Sequence, residues 1–332
     1  MIIWFNHWFS TAYYFIEQAK ALGNYVIATN QRDTCVYKMN ADEFYIEKEM
    51  NEEDYVNWAI TFCKEHKVDI FFPKKHMKEI SLNKKAFKDN GTTVIVEDYE
   101  KLCLFESKKD TFTFFEGKDI CNIPEMFIVN NLNDFMDKYN YLKEKYKKVC
   151  CKLDVDEGGQ SFKIILDKDF DLNTLKYNQG FIIHEKTLFE ILRNNPSFDD
   201  MVLMPYLEGT EYSIDCYNTK NGLIAVPRLK LSNRVTRLEN NNKLIEIAKR
   251  FQEKAHLSSA YNIQLRESNG QLYLLEVNTR LAGGSWKDQF VGVNFMSVII
   301  GEKNGVELNI NSLYNNFRTM NISNLEDAVM LT

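Results

Sequence analysis

The chain has 332 residues, of which 45% are hydrophobic, enough to bury a sizeable core and to divide into more than one lobe. Acidic residues outnumber basic ones by 47 to 41, and the net charge of -6 argues against a general nucleic-acid binder, which would present a basic face. Seven cysteines, an odd number with no CxxC pair, fit reduced, cytoplasmic usage and neither a disulfide framework nor a zinc site. FMSVII, the best apolar run near residue 295, is far too short to span a bilayer, and MIIWFNHWFS lacks the features of a signal peptide, so no membrane partner is expected.

The first hundred residues alternate strands with helices. MIIWF reads as a strand, and STAYYFIEQAKAL as an amphipathic helix capped by Ser10 and stopped by Gly23. YVIATN and EFYIE follow as strands, EDYVNWAITFCKEH as a helix, DIFFP as a strand, KEISLNKKAFKDN as a helix closed by Gly91, and TTVIVE as a strand. This alternation predicts a parallel, doubly wound sheet. The turn after its first strand, NHWFS, contains no glycine, so a dinucleotide on this lobe is not expected.

From about residue 105 the texture changes to a small α+β unit. KKDTFTFFEG reads as a helix, CNIPEMFIV as a turn into a strand, and LNDFMDKYNYLKEKY as a helix. The strand KVCCKL, the acidic loop DVDEGGQS and the strand FKIIL follow. The rest holds the strands MVLMPYL, EYSIDCYN and GLIAVPRLKL, and a long helix around NKLIEIAKRFQEKAHL. A hairpin of YNIQLRES and QLYLLEVN, joined at SNG, closes the series. The expected lobes are 1–104, 105–205 and 206–332.

Three stretches carry chemistry. In YLLEVNTRLAGGS, Glu276, Asn278 and Arg280 occupy alternate positions at the end of an apolar strand, and so project to one side. Across the hairpin turn Gln264 falls near Glu276, giving three oxygen donors of the kind a hard divalent cation takes, with Arg280 beside them to stabilise a transferred phosphoryl group. In VCCKLDVDEGGQS, Lys152 ends an apolar strand and is followed by Gly158 and Gly159, a pattern that suits phosphates but is also common in plain hairpins. In VLMPYLEGTEYSIDCY a strand reaches Tyr206 and Leu207 and then Glu211, which suits either an adenine edge and ribose or an acidic surface hairpin.

In this order, Lys108, Lys152 with its glycine loop, PYLEGTEYSID and LLEVNTRLAGG resemble the motifs of the ATP-grasp superfamily, in its carbamoyl-phosphate-synthase and biotin-carboxylase-like branch. IIWFNHWFS further resembles the ATP-grasp proteins encoded with tellurite-resistance operons. The resemblance covers essentially the whole chain. It implies an α/β and α+β fold: an N-terminal parallel-sheet pre-ATP-grasp lobe, a lid lobe, and a C-terminal lobe with the metal and phosphate site.

By residue, the resemblance implies that Lys108 (or Lys109, in the neighbouring register) reaches the α-phosphate and that Lys152 bridges phosphate and adenine. Gly158 and Gly159 would lie in the phosphate-covering loop. Tyr206 and Leu207 would read adenine, Glu211 would bind ribose, and Gln264, Glu276 and Asn278 would hold Mg²⁺ or Mn²⁺. Arg280 would contact the γ-phosphate or acyl phosphate, and Arg228 would sit near substrate. Departures from the pattern are Leu153 where proline is usual, a loop with fewer glycines, Ser161 at a position often glycine, and acidic charge at Asp154, Asp156 and Glu157. Pro205 stands where glutamate is common.

The implied activity is that of an ATP-dependent ligase joining a small-molecule carboxylate, an amino acid among the candidates, to an amine or thiol through an acyl phosphate, with release of ADP. Bicarbonate activation toward a carboxy or carbamoyl product is the alternative among enzymes. A nucleotide-binding regulator without turnover is the alternative outside them. The resemblance places the substrate pocket around NHWF (6–9) and GGSWKDQF (283–290), and self-association into homo-oligomers is common among such proteins.

Overall fold

The computed structural model describes residues 1–156, 159–168, 172, 180–307, 309–315 and 317–325. They fall into two compact units. The first is made of Met1–Cys103, Tyr212–Gln264 and Val277–Thr332, the second of Leu104–Glu211 and Leu265–Glu276.

The first unit opens with strands β1 (Ile2–Asn6), β2 (Tyr25–Asn30), β3 (Glu43–Ile46), β4 (Ile70–Phe72) and β5 (Thr93–Val94), interleaved with helices α1 (Ala12–Ala21), α2 (Glu52–Glu65), α3 (Met77–Leu82) and α4 (Lys84–Asp89). The strands pair in parallel in the order β3-β2-β1-β4-β5, the doubly wound arrangement expected from the alternating pattern. Side chains alternate faces along each strand. Ile3, Phe5, Ile70 and Phe72 therefore enter one apolar cluster with Phe15 and Ile16 of α1. Trp4, Ile27 and Phe71 enter a second with Tyr55, Ala59 and Phe62 of α2.

The segment read as one helix, KEISLNKKAFKDN, is two: α3 and α4 meet at Asn83, whose Nδ2 bonds the carbonyl of Glu79 and draws the backbone out of the helix. The strand read in TTVIVE shortens to two residues, Thr93–Val94, and Thr92 just before it turns its hydroxyl onto the carbonyl of Val68.

The second unit contains β6 (Phe127–Asn131), β7 (Val149–Leu153), β8 (Lys163–Leu166), β9 (Ile182–His184) and β10 (Ser197–Pro205), in the order β6-β10-β7-β8-β9. β10 runs antiparallel to both neighbours, and β8 and β9 are parallel. The helices Leu132–Lys145 and Glu185–Asn194 cover one face through Phe135, Leu142, Leu188 and Leu192. The adjacent Cys150 and Cys151 point to opposite faces and into separate clusters, and both are free thiols.

A six-stranded sheet has the order β15-β14-β11-β12-β13-β16, formed by β11 (Glu211–Thr219), β12 (Gly222–Lys230), β13 (Val235–Leu238), β14 (Tyr261–Ser268), β15 (Gln271–Asn278) and β16 (Met320–Ser323). The link from β14 to β15 is a two-residue turn in which Asn269 and Gly270 both have positive φ, 51° and 74°, as a type I′ hairpin turn requires. The helix Asn242–Ala255 packs on β12 with Leu244, Ala248 and Phe251 buried.

Candidate functional site

In the second unit, alternation along β7 sets the chemistry. Cys150 faces an apolar cluster with Val202, Met204, Leu207 and Leu275, and Lys152, two residues on, shares that face of the strand. An apolar surface with an ammonium at its margin suits a planar base carrying an anionic tail. Ser107 caps the helix Lys108–Phe115 by accepting the Asp110 amide, which makes Lys108 its first residue.

From there Lys108 Nζ donates to the carbonyl of Leu275 at 2.6 Å and to Glu276 Oε2 at 3.1 Å. Lys152 Nζ lies 4.0 Å from the same oxygen and donates to the Asp156 carbonyl at 3.1 Å. Two largely buried ammoniums thus face one carboxylate. Burial, followed by repulsion from Lys108, holds Lys152 below the ordinary lysine pKa. The Glu276, Asp156 and Asp154 carboxylates act on Lys152 in the opposite sense. Lys109, the neighbouring register, donates its amide to Asp154 Oδ1 at 3.0 Å.

The acidic loop after β7 is engaged internally. Asp156 accepts the Ser161 amide at 2.9 Å and hydroxyl at 2.6 Å, and Ser161 Oγ in turn accepts the Leu153 amide at 3.0 Å. Partial burial works against ionisation of Asp156, but the Ser161 bonds and Lys152 prevail and its pKa falls below the usual value. Gly159 has φ of 69°, a conformation side chains disfavour. Gly158 lies outside the described residues.

At the end of β10, the amide of Tyr206 bonds the Lys148 carbonyl at 2.9 Å, whereas that of Leu207 meets no acceptor among the described residues. Glu211 is ion-paired with Arg266, Nη2 to Oε2 at 2.7 Å. Arg266 also donates to the Leu207 carbonyl at 3.2 Å, and its guanidinium lies 5.5 Å from the Tyr206 ring centroid. Arg266 is not among the residues expected from the sequence; its signal there is its place two residues after Gln264, on the same face of β14. Between these residues the backbone passes so close that a Cβ on Gly209 would stand 2.3 Å from the Glu267 carbonyl oxygen.

The first unit holds the other expected residues. Gln264 lies on β14 and Asn278 ends β15, on the same face of that strand as Glu276. The guanidinium of Arg280 sits 4.6 Å from the Phe9 ring centroid. Arg228, on β12, is buried and bound through Nε and Nη2 to Asp215, which also accepts from Asn262 at 2.8 Å and Ser285 at 2.7 Å. A Cβ on Gly284 would come within 2.3 Å of Arg228 Nη1, so the glycine makes room for the guanidinium. Arg228 therefore anchors the Gly-Gly turn that follows Arg280.

Trp286 stacks on Tyr14 with centroids 3.8 Å apart, while Lys287 and Asp288 are buried. Burial, then the Asp215 charge, pushes the Asp288 carboxyl well above the usual range. A second feature absent from the sequence reading is the contact of His7 Nε2 with Glu47 Oε2, a hydrogen bond at 2.5 Å. No helix among the described residues is long and apolar enough to cross a membrane.

Residues 197–328 match the family described as ATP-grasp in the biosynthetic pathway with Ter operon. Among solved structures, the chain is similar to N5-carboxyaminoimidazole synthetase from Staphylococcus aureus complexed with ADP, at 14% identity over 93% of this chain and 78% of that one, with a TM-score of 0.66. It is also similar to the biotin carboxylase domain dimer of the Hydrogenobacter thermophilus 2-oxoglutarate carboxylase with MgADP, ADP and bicarbonate, at 17% identity over 92% and 70%, with a TM-score of 0.65. An L-amino acid ligase from Bacillus licheniformis aligns at 14% identity over 96% and 78%, with a TM-score of 0.67. No match is found among curated proteins.

Proposed function

We propose that the chain is an ATP-grasp protein of the biotin-carboxylase and N5-carboxyaminoimidazole-synthetase branch, a reading that the match of residues 197–328 and the likeness of fold support, and that it is an ATP-dependent ligase joining a small-molecule carboxylate to an amine or thiol through an acyl phosphate. The observation that carries this reading is the meeting of Lys108 and Lys152 at Glu276, beside the apolar cluster around Cys150, Met204 and Leu207. A base lies on that cluster, and its phosphates replace the carboxylate as partners of the two ammoniums. The Leu207 amide, which meets no acceptor among the described residues, reads the adenine edge, and Glu211, set by Arg266, accepts a ribose hydroxyl.

Gln264, Glu276 and Asn278 are oxygen donors suited to Mg²⁺ or Mn²⁺, and the crowding of cations on Glu276 marks it as a carboxylate placed for positive charge. When bound, such a metal offsets phosphate charge during transfer. The substrate carboxylate attacks the γ-phosphorus in line, ADP leaves, and Arg280 holds the resulting acyl phosphate. The nucleophile then displaces phosphate. The L-amino acid ligase among the similar structures supports an amino acid as one substrate.

The test is ADP release from the purified chain with MgATP and a panel of carboxylates, amines, thiols and bicarbonate. Turnover that needs both a carboxylate and a nucleophile is expected. Turnover with bicarbonate alone, or tight nucleotide binding without turnover under any pairing, overturns the reading.

A further inference from the structure

The turn after β1 is built around a buried carboxylate that the reading above does not use. Glu47 follows β3 and is only 4% exposed. Its Oε1 accepts the hydroxyls of Thr29 at 2.6 Å and Tyr55 at 3.0 Å, and its Oε2 faces His7 Nε2 at 2.5 Å. In the neutral ring that donates from Nε2 to this carboxylate, Nδ1 is the nitrogen left with a lone pair. Nδ1 has no hydrogen-bond partner among the described residues and is absent from their buried, unpartnered polar atoms; the side chain is 17% exposed, so this nitrogen opens to solvent.

The backbone holds the ring there at a local cost. His7 has φ of 48°, a left-handed conformation unfavourable for a side chain, and its amide is fixed to the Thr29 carbonyl at 3.0 Å. The residue stands at the carboxyl end of the central strand, between β2 and β4, where the chain changes direction across the sheet and where α/β proteins place ligand-handling groups. The next residue, Trp8, lines a small cavity of about 10 Å³ together with Arg280, and Phe9 packs against the Arg280 guanidinium. Charged neighbours of this edge include Lys74 over Phe9, Lys75 and His76 against Tyr55, and Glu52 and Glu79 beside His76.

We propose that His7, oriented by Glu47, is the base that takes the proton from the incoming amine in the second half-reaction. The inference rests on the ligase reading. As the amine nitrogen bonds the acyl carbon, the bond from that carbon to the phosphate oxygen breaks and its electron pair leaves with phosphate. One N–H proton passes to Nδ1, and the imidazolium is paired with the Glu47 carboxylate until the proton is lost to water or phosphate. Glu47 acts through His7 and is a positioning residue.

Hydroxylamine separates this step from the first, because it is nucleophilic enough to trap an acyl phosphate without a base. With MgATP and amino acids as carboxylate and amine, hydroxamate and amide are measured for the wild type, His7→Gly and Glu47→Gln. Glycine suits the left-handed backbone and leaves a space for added imidazole.

The expected result is hydroxamate formation near the wild-type rate in His7→Gly, with amide formation lowered about 10²- to 10⁴-fold and partly restored by imidazole. Glu47→Gln shows the same split, less severely. Amide formation at the wild-type rate in His7→Gly overturns the proposal, as does parallel loss of both products without rescue. A wild type that forms no hydroxamate from any carboxylate sinks the ligase reading itself, and this inference with it.

Discussion

Lys108 and Glu276, 168 positions apart in the chain, are joined by an ion pair, Nζ to Oε2 at 3.1 Å. Lys152 approaches the same oxygen at 4.0 Å. Two ammoniums converge on one carboxylate beside an apolar cluster, and a polyphosphate offers them further oxygens.

Replacing either lysine with methionine is therefore expected to weaken ATP binding by about 10- to 100-fold, since a hydrogen bond to a charged group contributes about 1.5–3 kcal/mol and each 1.4 kcal/mol is tenfold. Glu276→Ala is expected to keep metal-free binding and to lose the enhancement by Mg²⁺. Calorimetric titration of ATP with and without Mg²⁺ measures both. Full Mg²⁺ enhancement in Glu276→Ala would remove Glu276 from the metal.

The buried Arg228 cluster makes a prediction about stability. Asp215→Asn removes the nearer of two carboxylates at the guanidinium, Asp288 Oδ1 standing 3.8 Å from Nε, and the loss of a member of a buried pair is expected to cost about 3–5 kcal/mol. Asp288 behaves in the opposite sense. Its folded-state pKa is raised above the ordinary 3.8, so folding favours its protonated form. That contribution is fully present below pH 3.8 and is lost as pH rises through the folded value. Asp288→Asn, which mimics the protonated carboxyl, should therefore gain in melting temperature relative to wild type as pH is raised from 4 to about 8. A constant offset between the two melting curves would show that Asp288 does not titrate in this way.

Gly209 gives a prediction for the turn between β10 and β11. A Cβ there meets the backbone oxygen of Glu267 at 2.3 Å, and backbone cannot yield as a side-chain tip can. Gly209→Ala is expected to lower stability by about 1–3 kcal/mol, the usual cost of forcing an atom into filled space. Because the same stretch carries Leu207 and Glu211, ATP affinity should fall with it. Denaturant unfolding and nucleotide titration of the one variant check both expectations, and an unchanged unfolding midpoint would contradict them.

The N-terminal parallel sheet was legible in the sequence because each of its first strands is a short apolar run between helices of clear periodicity, and burial on both faces leaves Ile3, Trp4 and Phe5 no polar alternative. The break at Asn83 was not, since its cause is a side-chain bond to the Glu79 carbonyl and not a glycine or proline. β13 and β16 escaped notice for another reason. Each is four residues long, and their pairing joins Leu238 to Met320 across a stretch no local pattern reports.

At the site, residue types in fixed order singled out Lys108, Lys152 and Glu276, which the fold brings together. The partners that define the surroundings come from distant parts of the chain and are far less marked in it. Arg266 for Glu211, Asp215 for Arg228 and Glu47 for His7 are each supplied by a different strand or loop.

The central claim is that a carboxylate is activated as an acyl phosphate, and the most direct measurement follows an oxygen atom. The chain is incubated with MgATP, an amine and a carboxylate substrate labelled with ¹⁸O in both carboxyl oxygens, and the released phosphate is analysed by mass spectrometry. Attack on the γ-phosphorus followed by displacement at carbon leaves one carboxylate oxygen on phosphate, so one ¹⁸O per phosphate is predicted. Amide product accompanied by unlabelled phosphate would contradict the account.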